Sequence, residues 1–323
     1  MHDQSSEDDA VPRSLSVVVP THQRLAALAR LLRPLLVDPA VSELVVAVDG
    51  SDDGSVEWLR EQAREDPRIV VLDLPHRGLA ATRQAGIEAA TGELVLLLDD
   101  DVIAEPGLAG GHVRNHADGA RRLVLGYMPN DWRSQPPGRR GIAYLYSRDY
   151  ERRRARWESD PGFVLRGLWA GNLSMPREEL VRVGMGTRAL KRGEEDREFG
   201  VRCLKAGIEG RFDPSLRAQH EFERTLPQYR RACRLAGQYR RLMFAEHGDV
   251  LGEDLELGHS LPGPLKALLP RLASEPVFKP LAALLTALFH VGVLLRSLRL
   301  EAFAARGLGS LETQRGALES TVS

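Results

Sequence analysis

Three consecutive carboxylates, Asp99-Asp100-Asp101, follow the apolar run Leu94-Val95-Leu96-Leu97-Leu98. A buried strand can end in charge where the carboxylates emerge at the C-terminal edge of a sheet, the edge at which α/β folds bind ligands. Side chains alternate along a strand, so the spacing places Asp99 and Asp101 on one face and turns Asp100 away. Two carboxylates held together repel unless a cation lies between them. An oxygen-only ligand set suits a hard ion such as Mg2+ or Mn2+, commonly completed by substrate phosphates. A solvated acidic turn would use the same residues.

Four further groups have chemistry to offer. Asp49-Gly50-Ser51-Asp52-Asp53-Gly54 follows a second apolar run. Small turn-forming residues there admit a ligand, and a carboxylate can accept from a base N–H or a ribose hydroxyl, although a plain tight turn has the same composition. Glu194, Glu195 and Asp196 stand at a helix start, where the macrodipole alone favours acids. A general base there would have to face a pocket. Trp169-Ala170-Gly171-Asn172 offers an aromatic face and an amide, which suit a sugar acceptor, or a core Trp beside a turn. His220 is a candidate metal or phosphate ligand, against the ordinary expectation that a lone His is structural. The chain has neither GxGxxG after its first strand nor GxxxxGK[ST], which argues against a dinucleotide-binding domain and a P-loop NTPase.

These residues need elements to hold them. Leu15 to Val19 reads as a strand ended by Pro20, and Leu25, Leu28, Leu32, Leu35 and Leu36 follow at helical spacing, with Pro34 distorting the last turns. Strands through Leu44–Val48, Ile69–Leu74 and Leu94–Leu98 alternate with helices. That rhythm predicts a mostly parallel, right-handed βαβ sheet flanked by helices. It loosens after about Leu123. Beyond His220 a long helix begins near Thr225, and an apolar helical region closes the chain.

The 323 residues carry a formal net charge of -1, so no global field draws the chain to nucleic acid. Arg-rich stretches at 121–156 and 224–241 read as solvated helix faces, with some Arg available to phosphates of a donor or a lipid-linked acceptor. Residues 1–13 form an acidic tail, expected to be disordered and unlike a secretory signal. Cys203 and Cys233 lack metal-ligand spacing and fit buried thiols in a cytoplasmic protein. The run Pro280 to Leu295 falls short of the ~20 residues that span a bilayer. Flanked by Lys279, Arg296 and Arg299, it fits a packed helix or an interfacial one, with peripheral contact at the inner face of the cell membrane.

Taken in order, the motifs resemble the family 2 glycosyltransferases of GT-A (Rossmann-like) fold. The matching string is Val17-Val18-Val19-Pro20-Thr21-His22-Gln23-Arg24, Asp49-Gly50-Ser51-Asp52-Asp53, Gly78 with Ala81, Thr82 and Arg83, Leu98-Asp99-Asp100-Asp101, Gly171-Asn172, Glu195-Asp196 and His220. Gln23 stands where the family often has Asn, and Val48 where it often has a first acid. The resemblance covers about 14–225. It implies a nucleotide-sugar half at 14–120, an acceptor half at 121–225 and a helical C-terminal extension at 226–323. It also implies a nucleotide-diphosphate sugar donor, contacted by Asp49 at the nucleoside and bordered by Pro20, Thr21, Arg24, Arg83, Asp99 and Asp100. Asp101 would ligate Mn2+ or Mg2+, with Asp99 and His220 contributing. Asp196, or its neighbour Glu195, would take the proton of the attacking hydroxyl, and Trp169, Gly171 and Asn172 would meet a carbohydrate or lipid-linked acceptor. The outcome expected is inversion at the anomeric carbon. A sugar-1-phosphate nucleotidyltransferase would carry a Gly-rich basic signature where Pro20-Thr21-His22-Gln23-Arg24 stands. A non-catalytic carbohydrate- or nucleotide-binding relative has no need of acids at both the metal and base positions.

Overall fold

The computed structural model describes residues 14–185, 194–251 and 263–320. The acidic tail at 1–13 lies outside them. The described chain forms two compact units, each assembled from separate stretches: 1–128, 170–186 and 207–218 make one, and 129–169, 187–206 and 219–323 the other. This partition is discontinuous and differs from the sequential division at 120 and 225, because the chain returns to the sheet twice after leaving it.

The first unit is built on an eight-stranded sheet of order β3-β2-β1-β4-β7-β6-β8-β5. Its strands are β1 (Leu15–Thr21), β2 (Val41–Asp49), β3 (Ile69–Leu74), β4 (Leu94–Leu98), β5 (Val102–Ala104), β6 (Arg122–Tyr127), β7 (Asn172–Pro176) and β8 (Glu209–His220). β1 and β4 are buried along their whole length, which explains their unbroken apolar runs: a parallel strand covered on both faces has no polar side to show. β1 pairs parallel with β2 and β4, and β2 with β3, so the C-terminal ends of all four reach one edge. β7 runs antiparallel to β4 and β6, an insertion that strand–helix alternation did not announce. Helices α1 (Leu25–Leu36), α2 (Ser55–Glu65), α3 (Leu79–Ala89), α4 (Leu108–Arg114) and α7 (Arg177–Val183) pack on the strands. Pro34 sits inside α1 without ending it before Leu36.

The second unit is helical, with α5 (Arg140–Ser159), α6 (Pro161–Arg166), α8 (Glu195–Lys205), α9 (Leu226–Leu251), α10 (Gly263–Leu272), α11 (Phe278–Leu294) and α12 (Leu298–Glu319). α12 is its hub and packs on α5, α9, α10 and α11. Ile142 and Leu145 of α5 share one core with Phe222, Phe289, Leu308 and Leu311. The helical C-terminal region is present as expected, and its helices share a core with α5. Much of the Arg-rich α5 is paired on its own surface, Arg154 with Glu151 and Glu158 for example.

Candidate active site

In the first unit the turns after β1, β2, β3 and β4 gather at the C-terminal edge of the sheet. β4 ends at Leu98, and Asp99–Asp101 form a turn leading into β5. Strand alternation therefore stops one residue short of the carboxylates, and their pairing differs from the one expected. Asp99 is held by the guanidinium of Arg83, which is 3% exposed and projects from α3. Asp100 accepts from the Thr21 hydroxyl at 2.9 Å, and Arg24 stands 3.6 Å from both Asp100 and Asp101. Burial pushes the Asp100 carboxyl up to about 6, with Asp101 and Asp99 adding to the rise and Arg24 and Thr21 opposing it. Asp100, expected to point away, is thus the most enclosed of the three, while Arg24 lies outside hydrogen-bond distance of Asp101.

Asp49 ends β2 and is buried. Its carboxylate accepts from the backbone N–H groups of Arg77 at 2.7 Å and Gly78 at 2.9 Å, where the chain turns into α3. Burial raises its carboxyl, but those donors, Thr82 and His76 outweigh the effect and leave it below the ordinary range. A carboxylate fixed and ionised at a sheet edge is equipped to accept from a ligand N–H.

Gly171 and Asn172 occupy places other than an acceptor platform. A Cβ on Gly171 would lie 3.0 Å from Asp99 Oδ2 and from Met128 Sδ, and its carbonyl accepts from the Asp99 N–H at 3.1 Å. Its smallness serves the acidic turn. Asn172 is fully buried. It donates to the Leu216 carbonyl at 3.0 Å and bonds His112 Nε2 at 2.9 Å. His112 Nδ1 meets the Ser174 hydroxyl at 2.7 Å, and His116 Nε2 reaches the same oxygen at 2.9 Å. The Asn172 amide, assigned to an acceptor from sequence, is instead spent inside the sheet. Gly-Asn read locally looks like a loop, whereas here it leads into a buried strand. This polar core was not foreseen, and only pairing β7 with β4 and β6 would have exposed it.

In the second unit, Trp169 is half-buried, stacks on Tyr146 with centroids 5.2 Å apart, and carries the Arg153 guanidinium at 4.8 Å. Tyr146 Oη lies 3.0 Å from His220 Nδ1. Neither Tyr146 nor the aromatic stack was anticipated. Glu195 and Asp196 sit in the first turn of α8, both partly exposed. In the same turn Glu194 pairs with Arg240 at 2.6 Å and Glu198 with Arg202 at 2.7 Å.

Comparison with known proteins agrees with this arrangement. Residues 16–176 match the model of glycosyl transferase family 2. The chain is 34% identical over 85 residues to the putative glycosyltransferase EpsH of Bacillus subtilis, a stretch covering 26% of this chain and 25% of that protein. It is 30% identical over 222 residues to the validoxylamine A glucosyltransferase of Streptomyces hygroscopicus subsp. jinggangensis, covering 60% of this chain and 52% of that one. The chain thus spans from a quarter to about half the length of these relatives. Among solved structures, the mannosyltransferase PcManGT of Pyrobaculum calidifontis, in complex with GDP-Man and Mn2+, superposes with a TM-score of 0.61 at 19% identity, over 95% of this chain and 88% of that one. At that identity the likeness establishes the fold, a GT-A-like sheet flanked by helices. With the family match over 16–176 and the acids at the ends of β2 and β4, the chain belongs to glycosyl transferase family 2.

Proposed function

We propose that the protein is a metal-dependent, inverting glycosyltransferase that moves a sugar from a nucleotide-diphosphate sugar to a hydroxyl of a carbohydrate or lipid-linked acceptor. The observation that carries the reading is the gathering of Asp49, Arg83, Arg24 and the Asp99–Asp101 turn at one edge of the sheet. GDP-Man and Mn2+ in the PcManGT complex support the donor and metal classes. The donor set also fits, because the acidic turn offers carboxylate oxygens alone, which suit a hard ion. Asp101 is the best ligand. The family resemblance names Asp99 and His220 alongside it. When bound, the ion would neutralise charge on the diphosphate as a Lewis acid.

The chain's own groups do the rest. Asp49 accepts from the nucleoside, while Pro20, Thr21, Arg24 and Arg83 shape the donor side and Asp100 is held in place by Thr21. Trp169, with the aromatic stack it belongs to, is the group assigned to the acceptor. The Asp196 carboxylate takes the acceptor's hydroxyl proton as that oxygen bonds to the anomeric carbon. The bond from that carbon to the diphosphate oxygen breaks on the opposite face, and its electron pair leaves with the diphosphate. The transition state is oxocarbenium-like, as in glycoside hydrolysis. A thermal-shift screen of nucleoside diphosphates with Mn2+ tests the donor reading. A ligand at a hundred times its Kd adds about 2.7 kcal/mol of stability, and no shift with any nucleotide would contradict it.

Peripheral contact with the inner face of the membrane belongs to the same reading. No helix of the described residues is long and apolar enough to cross a membrane. α11 packs one apolar face on α12 yet leaves Leu284 64%, Leu294 82% and Leu295 69% exposed. A helix apolar all round ordinarily covers both faces, and Lys279, Arg296 and Arg299 at its ends suit an anionic surface. The free thiols of Cys203 and Cys233 support a cytoplasmic setting.

A further inference from the structure

Neighbouring parallel strands deliver the residues that follow them to the same edge. His22, just after β1, and His76, just after β3, therefore flank Asp49 at the end of β2. Both rings aim one nitrogen at the same place. Nδ1 of His22 lies 2.7 Å from the Asp49 carbonyl oxygen, and Nδ1 of His76 lies 3.2 Å from that oxygen and 3.0 Å from Asp49 Oδ2. The ring centroids are 4.7 Å apart. Among the described residues these three form the only group of three or more His, Cys, Asp or Glu side chains whose ligating atoms converge, all within 4.8 Å of one another.

We infer that His22, Asp49 and His76 form a second cation site, one that takes Zn2+ or a similar imidazole-seeking ion rather than Mg2+ or Mn2+. Ligand atoms about 2.0–2.1 Å from a tetrahedral ion stand about 3.3 Å from each other; His76 Nδ1 and Asp49 Oδ2 are already 3.0 Å apart, and all three ligand atoms lie within 4.8 Å of one another. Two imidazole nitrogens and one carboxylate oxygen make a borderline set, unlike the oxygen-only acidic turn. The site is built in advance. Asp49 is fixed by the Arg77 and Gly78 N–H groups. Gly50, at φ +65°, lets the His76 backbone approach to where a Cβ would lie only 2.7 Å from its nitrogen. Both imidazoles are exposed, so an ion enters from solvent. Each ring would bind the ion through Nδ1 and carry its proton on Nε2. If Asp49 contacts the donor's nucleoside as proposed above, an ion here also blocks donor binding.

Isothermal titration of the full chain with Zn2+, in the absence of any donor, tests the site. One equivalent should bind, Mg2+ should not compete, and Co2+ in its place should show the absorption of a tetrahedral ion. His22→Gln and His76→Gln should each weaken Zn2+ at least tenfold, with unchanged melting in metal-free buffer, while Asp101→Asn should leave it unaltered. Absence of Zn2+ binding, full affinity in both His variants, or loss of the ion in Asp101→Asn would each overturn the inference. Adding UDP or GDP separates the two claims. Displacement of Zn2+ supports both the site and the nucleoside role of Asp49. Retained Zn2+ with nucleotide bound elsewhere leaves the cation site standing and removes that role.

Discussion

Replacing His112 tests whether the buried polar core beneath the acidic turn is wired as the structure shows. Asn172 gives its amide N–H to Leu216, so its oxygen faces His112 Nε2, which must carry the proton. Nδ1 then accepts from the Ser174 hydroxyl, whose oxygen accepts from His116. Burial pushes the His112 imidazole down from 6.5 to about 4, with Asn172 and Asp213 opposing it. Between those values the unfolded chain binds a proton that the folded chain refuses. The stabilisation is therefore complete above about pH 6.5 and fades as the pH falls toward 4. At about 1.4 kcal/mol per pH unit this amounts to at most about 3 kcal/mol. Asp100 acts in the opposite sense, because its folded carboxyl is raised to about 6 from 3.8 and folding is favoured as the pH falls through that range. The two effects are similar in size and nearly cancel in the wild type. The difference between proteins carries the test: His112→Gln keeps an N–H for Asn172 and cannot titrate. Urea unfolding of both at pH 7.5, 6, 5 and 4 should show the wild type's advantage shrinking by about 3 kcal/mol. Parallel curves would refute the buried neutral imidazole.

Two further outcomes follow from the proposed chemistry and the exposed helix. Asp196→Asn should lower kcat by ~10²–10⁴-fold while sparing donor affinity, and Glu195→Gln should cost far less; equal, small losses would return both acids to helix capping. Leu284→Glu with Leu294→Glu should release the protein from anionic vesicles in a sedimentation assay while leaving donor turnover intact, and unchanged retention would remove the membrane role of α11.

Much of the first unit was legible in sequence because its strands are short apolar runs separated by helical periodicity. β3 falls at Ile69–Leu74 as read, and the helix expected near Thr225 begins at Leu226. What escaped depends on partners far apart in the chain. Asp99 with Arg83, Asp100 with Thr21 and Asn172 with His112 come together only once the strand order is known. β7 escaped because an antiparallel insertion leaves no periodic signature, and Asn172 was misassigned with it. The alternation placed on Asp99 and Asp101 failed for a local reason, since the strand ends at Leu98. His22 and His76 were both readable as strand-end residues. Recognising their convergence on Asp49 required knowing that β1 and β3 flank β2.

Metal-dependent sugar transfer at the β4 edge can be read from nucleoside-diphosphate release by a panel of nucleotide-diphosphate sugars, measured with EDTA, with added Mn2+ or Mg2+, and in Asp101→Ala. Turnover of at least one donor is expected with the ion, none in EDTA, recovery on adding the ion back, and no recovery in Asp101→Ala. Undiminished turnover in EDTA, or in Asp101→Ala, would contradict it.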